Sequence, residues 1–355
     1  MRTLGLTWRG RKPVCSWALG CVLLSLSGAI PAQAGAQAVA QAQNQAPSVG
    51  KVFGLSGKRV DDPVFITVWR GCEDEARKQG DQCVHLGQPG PANARAQDDA
   101  LAAHLKHHSD GIAVSVTHAG FLATHALKAA QVKGVPIVTF DSDLDELQRG
   151  MRRSYVGPDN VRFGLDLGQL AKRRWPQGGI VCLMSADPHD PNLQARLRGV
   201  RQALSGDPRW PSGQLKLTGQ GAWTESPRCP WFNGDSQDRA LKQLGTSLQD
   251  PRVDVLISVG AWPLLNLQAY AALVRRIQVT RPDAGQRVFV GTGTSTPQEL
   301  QLLHDGLIGG LAAIDFETMG RQAYLALKRI SLGEAVEPVI RTGATLHPGG
   351  GAFHP

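Results

Sequence analysis

Between residues 51 and 140, short β-branched runs alternate with longer stretches whose apolar residues recur every three or four positions. The runs at 51–55, 82–86, 111–116 and 135–140 predict strands, and the stretches at 62–79, 93–107 and 120–132 predict amphipathic helices. The theme returns after residue 159. Helices are predicted over 159–175, 191–204, 235–248, 264–279, 297–304 and 318–330, with strands over 179–184, 214–217, 253–259, 287–291 and 308–313. Strands and helices alternating at this spacing predict right-handed crossovers and parallel sheets, so the chain reads as two doubly wound α/β lobes. Ligands of such sheets bind beyond the carboxyl ends of the strands, where helix N-termini point inward. One long irregular loop, 222–233 with Trp223 and Trp231, interrupts the second lobe and is a place to expect function.

Composition adds the compartment. Arg2, Arg9, Arg11 and Lys12 precede an apolar stretch over 14–30, and Ala32 and Ala34 supply the small residues that a signal peptidase accepts. Residues 1–34 therefore read as a cleaved secretory signal that delivers the chain to the periplasm, with an uncleaved anchor as the competing reading. Residues 35–49 are rich in Ala and Gln without an apolar period, as suits a flexible linker. The chain of 355 residues holds 38 basic against 30 acidic residues; without the signal, 34 against 30 leaves a net of +4. So mild a charge, with no basic run, argues against nucleic acid as a partner. Four cysteines remain outside the signal. Cys72 and Cys83 are close enough in sequence to bridge a helix to the next strand, whereas Cys182 lies in an apolar run that suits a buried thiol equally well.

Catalytic and cofactor motifs fail on spacing. The glycines of GLSGK at 54–58 have two residues between them where a phosphate-binding loop needs four, and Gly291 and Gly293 lack the third glycine of a dinucleotide fingerprint. His104 and His108 share a helical face, yet no third ligand accompanies them, so a solvated face is the better reading and no metal is expected. Neither a nucleophile elbow nor a CxxC pair occurs. No constellation argues for an enzyme, and none implies a cofactor.

Several motifs, in their order and spacing, resemble those of the type I periplasmic sugar-binding proteins, the ribose-binding-like receptors of ABC importers. They are DDPVF at 61–65, GVPIVTFDSD at 134–143, YVGPDN at 155–160, RLRG at 196–199 and DGLIGG at 305–310, within a likeness that spans roughly 50–335. The resemblance implies a monomeric two-lobed clamp with a three-crossing hinge. It assigns 50–155 with 315–333 to the N-terminal lobe, 156–314 with 334–347 to the C-terminal lobe, and 348–355 to a tail. The implied function is capture of a sugar-like solute by hinge closure and delivery to an ABC permease. The alternative is a sensory binding protein that signals to a membrane histidine kinase or chemoreceptor.

Matched position by position, the resemblance implies ligand-binding roles for Asp62, Phe65, Asp141, Ser142 and Arg196. Trp223, Trp262 and Asp315 fall where the second lobe and the last crossing offer cleft residues. Each has a structural alternative: helix caps for Asp62 and Asp315, core packing for Phe65 and the tryptophans, a turn for Asp141 and an ion pair for Arg196. The chain also departs from the ribose-type pattern. Val116, Ser142 and Ile314 stand where the family carries Asn, Arg and Gln, and 291–294 lacks the family's carboxylate. These departures point away from a simple pentose.

Overall fold

The computed structural model describes residues 50–211, 214–293 and 295–350. The expected signal (1–34), the linker (35–49) and the end of the tail lie outside the described residues.

The first lobe begins with β1 (Val52–Ser56), α1 (Pro63–Lys78), β2 (Gln82–Leu86), α2 (Ala94–His104) and β3 (Gly111–Val114). It continues through α3 (Ala119–Thr124), α4 (Ala126–Val132), β4 (Ile137–Phe140) and β5 (Ser154–Gly157). The chain then crosses to α5 (Asn160–Arg174), β6 (Gly179–Ser185), α6 (Pro191–Ser205), β7 (Trp223–Glu225), β8 (Trp231–Phe232) and α7 (Gln237–Gln249). There follow β9 (Val255–Ser258), α8 (Leu267–Gln278), β10 (Val288–Thr292), α9 (Pro297–His304) and β11 (Gly310–Ile314). Helix α10 (Phe316–Ser331) returns to the first lobe, and β12 (Val339–Arg341) and β13 (Ala344–Pro348) close the chain.

The first sheet has the order β12-β5-β4-β3-β1-β2 and is parallel throughout. The second runs β13-β11-β10-β9-β6-β7, with β8 beside the end of β6 and β13 alone antiparallel. Period-two burial explains the layers. Phe53, Leu55, Ala113, Val138 and Phe140 face α1 and α10, while Ile112, Val114 and Ile137 face α2 to α4. Helix α1 starts where Pro63 occupies the first turn and the Asp62 carboxylate accepts the Val64 N–H. Its buried stripe of Phe65, Val68, Cys72 and Ala76 keeps helical spacing.

Four expectations need correction. Residues 339–341 pair with β5 in the first sheet, because a parallel edge there satisfies their backbone, so the last crossing lies at 341–344 rather than near 333. Pro348 ends a strand on β11 instead of opening a tail. No strand forms over the described part of 214–217; the edge beside β6 is taken by Trp223–Glu225, which buries Trp223 fully. The stretch 120–132 breaks at His125 into two short helices.

Both cysteine pairs bridge: Cys72 of α1 to Cys83 of β2, and Cys182 of β6 to Cys229. Cys182 is thus not a free buried thiol; the long loop folds back and lays Cys229 against it.

Candidate functional site

The carboxyl ends of the two sheets meet across a cleft, and the segments that leave them build its walls. Lys58 follows β1, Asp141 follows β4, Asn192 and Arg196 lie on α6, and Trp262 follows β9. They line a cavity of about 70 Å³ together with Asp62, Phe65, Asp235, Thr292 and Phe316.

Helix α6 is held in place by backbone contact with α5. A Cβ on Gly164 would fall 1.9 Å from the Arg196 carbonyl oxygen, and one on Gly199 would fall 1.9 Å from that of Val161. Only glycine permits so close an approach. It aims Arg196 at the cleft, where Nε donates to Asn160 Oδ1 (2.8 Å), Nη1 to the Val259 carbonyl (3.1 Å) and Nη2 to Asp141 Oδ1 (2.9 Å). The guanidinium also lies over Phe163, 4.9 Å from the ring centroid.

Asp141 sits on the opposite lobe with a left-handed backbone, φ 54°. Aspartate tolerates this conformation better than most residues. The backbone is pinned by Tyr155 Oη and Asn160 Nδ2, which both donate to its carbonyl at 3.0 Å. Its carboxylate accepts from Arg196, from Asn192 Nδ2 (3.1 Å) and from Ser115 Oγ (3.3 Å). Asp235 (φ 58°) is a second left-handed residue at the cavity, and such strained positions gather at ligand clamps. Its Oδ1 accepts from Trp262 Nε1 at 2.8 Å.

Lys58 spans the seam. Its ammonium contacts Asp190 Oδ2 and lies 3.1 Å from Asn192 Oδ1, both on the other lobe. Burial opposes the lysine charge, but Asp190, Asp141 and Asp235 raise its pKa above the ordinary value. Burial pushes Asp190 up to about 6 against the pull of Lys58, with Asp141 and Asp235 adding to the rise. The surrounding carboxylates thus hold the charge on Lys58, whereas burial is the main cause of the rise at Asp190. Asp62 is likewise pushed up to about 6 by burial and by Asp235, although the Val64 N–H at 2.8 Å favours its anion.

Of the residues proposed from sequence, Asp62, Phe65, Asp141, Arg196 and Trp262 lie together on the cavity wall. Asp62 caps α1 at the same time, and Phe65 packs edge-on against Phe140 at 6.4 Å. Ser142 is buried in the seam beside the cavity, its Oγ 3.3 Å from Asp190 Oδ1. Two residues lie elsewhere. Trp223 pairs with Gly179 at the amino end of β6, the far end of the sheet, and fills core. Asp315 is exposed and caps α10 by accepting the Thr318 N–H at 2.9 Å; the next residue, Phe316, reaches the cavity instead.

Sequence reasoning missed Lys58, Asp190, Asn192 and Asp235. Lys58 stands directly after the first strand, but the GLSGK around it reads only as a phosphate loop with the wrong spacing. Asp190 and Asn192 open a helix after a strand, the place where ligands gather. Asp235 carries no signal except its position at the end of the long loop. His104 turns to Ser109 Oγ (2.9 Å) and His108 to Asp110 (3.2 Å).

Known proteins repeat this architecture. A solute-binding protein of an ABC transporter from Agrobacterium vitis, solved with D-fucose, superposes with a TM-score of 0.71 at 15% identity, over 84% of this chain and 95% of that one. One from Burkholderia graminis, solved with D-arabinose, gives 0.68 at 21% identity, over 85% and 97%. The ribose import binding protein of Bacillus subtilis is 26% identical over 112 residues. That match covers 32% of this chain and about a third (35%) of the length of the relative. The family model described as periplasmic binding protein domain matches residues 53–335, from the first strand to the end of the helix that returns to the first lobe. With both sheets and the cleft between them inside that span, the chain belongs to the periplasmic binding protein domain family and has its type I architecture.

Proposed function

We propose that the chain is an exported, non-catalytic receptor for a sugar-like solute, which it captures by hinge closure in the periplasm and hands to an ABC permease. The observation that carries this reading is the wall of the cleft. Three carboxylates, the Asn192 amide, the Lys58 ammonium and the Arg196 guanidinium converge there from the two lobes with Phe65, Trp262 and Phe316. Paired polar groups exchange hydrogen bonds with vicinal hydroxyls, while aromatic rings cover C–H faces. Because the wall comes from two lobes, a solute completes its contacts only when they meet, and it therefore favours the closed form by its differential affinity. The sugars and the transporter roles of the similar proteins support the same reading, as does the signal-like amino terminus.

The test is a thermal-shift and calorimetric screen of the chain from residue 35 onward against monosaccharides, amino sugars and polyols. A binder raises the melting temperature by mass action and gives a saturable heat of binding. Failure of every solute to do both, or steady turnover of any of them, would overturn the proposal.

A further inference from the structure

The charges of the cleft do not balance. Arg196 pairs with Asp141 and Lys58 with Asp190, across the lobes in both cases. Arg59, the next cation along the chain, closes its fork on Asp61 at 2.8 and 3.1 Å and gives only a donor to the Asp235 backbone carbonyl. Two carboxylates of the cavity wall remain, Asp62 and Asp235, one from each lobe. Among the described residues neither has an ion-pair partner. Asp62 is 8% exposed, and among the described residues its carboxylate accepts one hydrogen bond, the helix-cap bond from Val64. Among the described residues the Asp235 carboxylate accepts from the Trp262 indole at Oδ1 and from no donor at Oδ2.

Asp62 is buried and Asp235 half-buried; Arg59 acts on both through space but closes its fork on Asp61, so neither carboxylate has a paired cation and the repulsion between them is costly. A neutral sugar donates hydrogen bonds but brings no charge. A protonated amine brings both, and Phe65, Trp262 and Phe316 on the same wall suit either the C–H face of its ring or the cation itself. Resting on the receptor reading above, we propose that the solute is a cationic polyhydroxylated amine, of the amino sugar or ring-nitrogen sugar class, whose ammonium lies between Asp62 and Asp235 and supplies the charge that the protein lacks.

The test uses matched probes that differ in charge. Calorimetry at pH 7.5 compares D-glucosamine with D-glucose and N-acetyl-D-glucosamine, D-galactosamine with D-galactose, and 1-deoxynojirimycin with 1,5-anhydro-D-glucitol. In at least one series the cationic member binds tenfold or more tighter than its neutral twin. Asp62→Asn keeps a helix-capping oxygen, and Asp235→Asn keeps an acceptor for Trp262. Each variant, shown to be folded by its melting curve, shrinks that preference to threefold or less. Neutral members binding as tightly as the cationic ones would overturn the inference and leave the receptor reading intact. A preference that survives both substitutions would overturn the placement of the ammonium. Absence of binding by every probe, with a neutral solute of the wider screen binding, would overturn the inference and leave the receptor reading intact.

Discussion

The two lobes are held by charges that the seam excludes from water, and Lys58 tests how they are held. Its ammonium finds Asp190 and Asn192 on the opposite lobe, with the lysine side chain 8% and the Asp190 side chain 7% exposed. Lys58→Met keeps the stem and deletes the charge, leaving Asp190 buried beside Asp141 and Asp235 with no cation of its own. Breaking one member of a buried pair costs roughly 3–5 kcal/mol. The lobes can escape that cost by separating, so the loss appears as opening rather than unfolding, a shift of more than about a hundredfold in the closed-to-open ratio.

Small-angle scattering without added solute therefore shows a larger radius of gyration for Lys58→Met than for the parent, with the urea unfolding midpoint nearly unchanged. Asp190→Leu in the same chain supplies the control, since replacing both partners of a buried pair by apolar groups is often neutral or stabilising. The double variant returns toward the parent radius. Equal radii for all three proteins would mean that the pair does not hold the lobes. A double variant as open as the single one would mean that packing, not the stranded carboxylate, drives the opening.

Other consequences can be measured with the same preparations. The Cys182–Cys229 bridge closes a separation of 47 residues and Cys72–Cys83 one of 11. Loop-closure entropy then predicts losses of about 4 and about 3 kcal/mol for the paired serine variants, read from urea unfolding, and a reversed order would contradict the estimate. Trp223→Ala, in the core, lowers stability by about 3–5 kcal/mol while the folded fraction binds solute as before. Trp262→Phe, which loses the bond to Asp235, does the opposite, and calorimetry on both variants separates the roles. Asp62 is pushed from 3.8 up to about 6 in the folded chain, so the native state holds more protons than the unfolded one between these values. Its destabilising contribution is absent below the lower value and complete above the upper one, at most about 3 kcal/mol. Stability attributable to Asp62 therefore rises as pH falls from 7 to 5, and Asp62→Asn removes that slope in urea titrations at each pH.

The alternation of strands and helices was legible because period-two and period-3.6 burial write themselves into every element of a doubly wound sheet. What misled was local. The apolar residues near 214–217 suggested a strand, but the edge beside β6 went to Trp223–Glu225, whose tryptophan buries a larger surface there. The segment 339–341 is partly exposed and carries little pattern, so its pairing with β5 is a matter of tertiary contact. In the site, Asp141 and Arg196 were reached through motifs around each residue, whereas their mutual bond joins positions 55 residues apart and has no local trace. Lys58 and Asp190 are 132 apart. A cross-lobe pair is invisible until the lobes are placed, and for that reason the partners of the recognised residues were missed more often than the residues themselves.

The cavity of about 70 Å³ is far smaller than the roughly 300–1,000 Å³ of typical ligand pockets, so a solute enters only as the lobes part. The two ion pairs respond differently to that parting. Arg196 keeps Asn160, the Val259 carbonyl and the Phe163 ring within its own lobe, so loss of Asp141 leaves it aimed. Lys58 has both of its polar partners across the seam and is released to water. Preorganised groups lose little entropy on binding, while freed lysines lose more. Arg196 and Asp141 are therefore the rigid part of the site, which sets what is recognised. Lys58 and Asp190 are the part that re-forms on closure, and their re-formation makes the fit of the solute felt at the rim of both lobes.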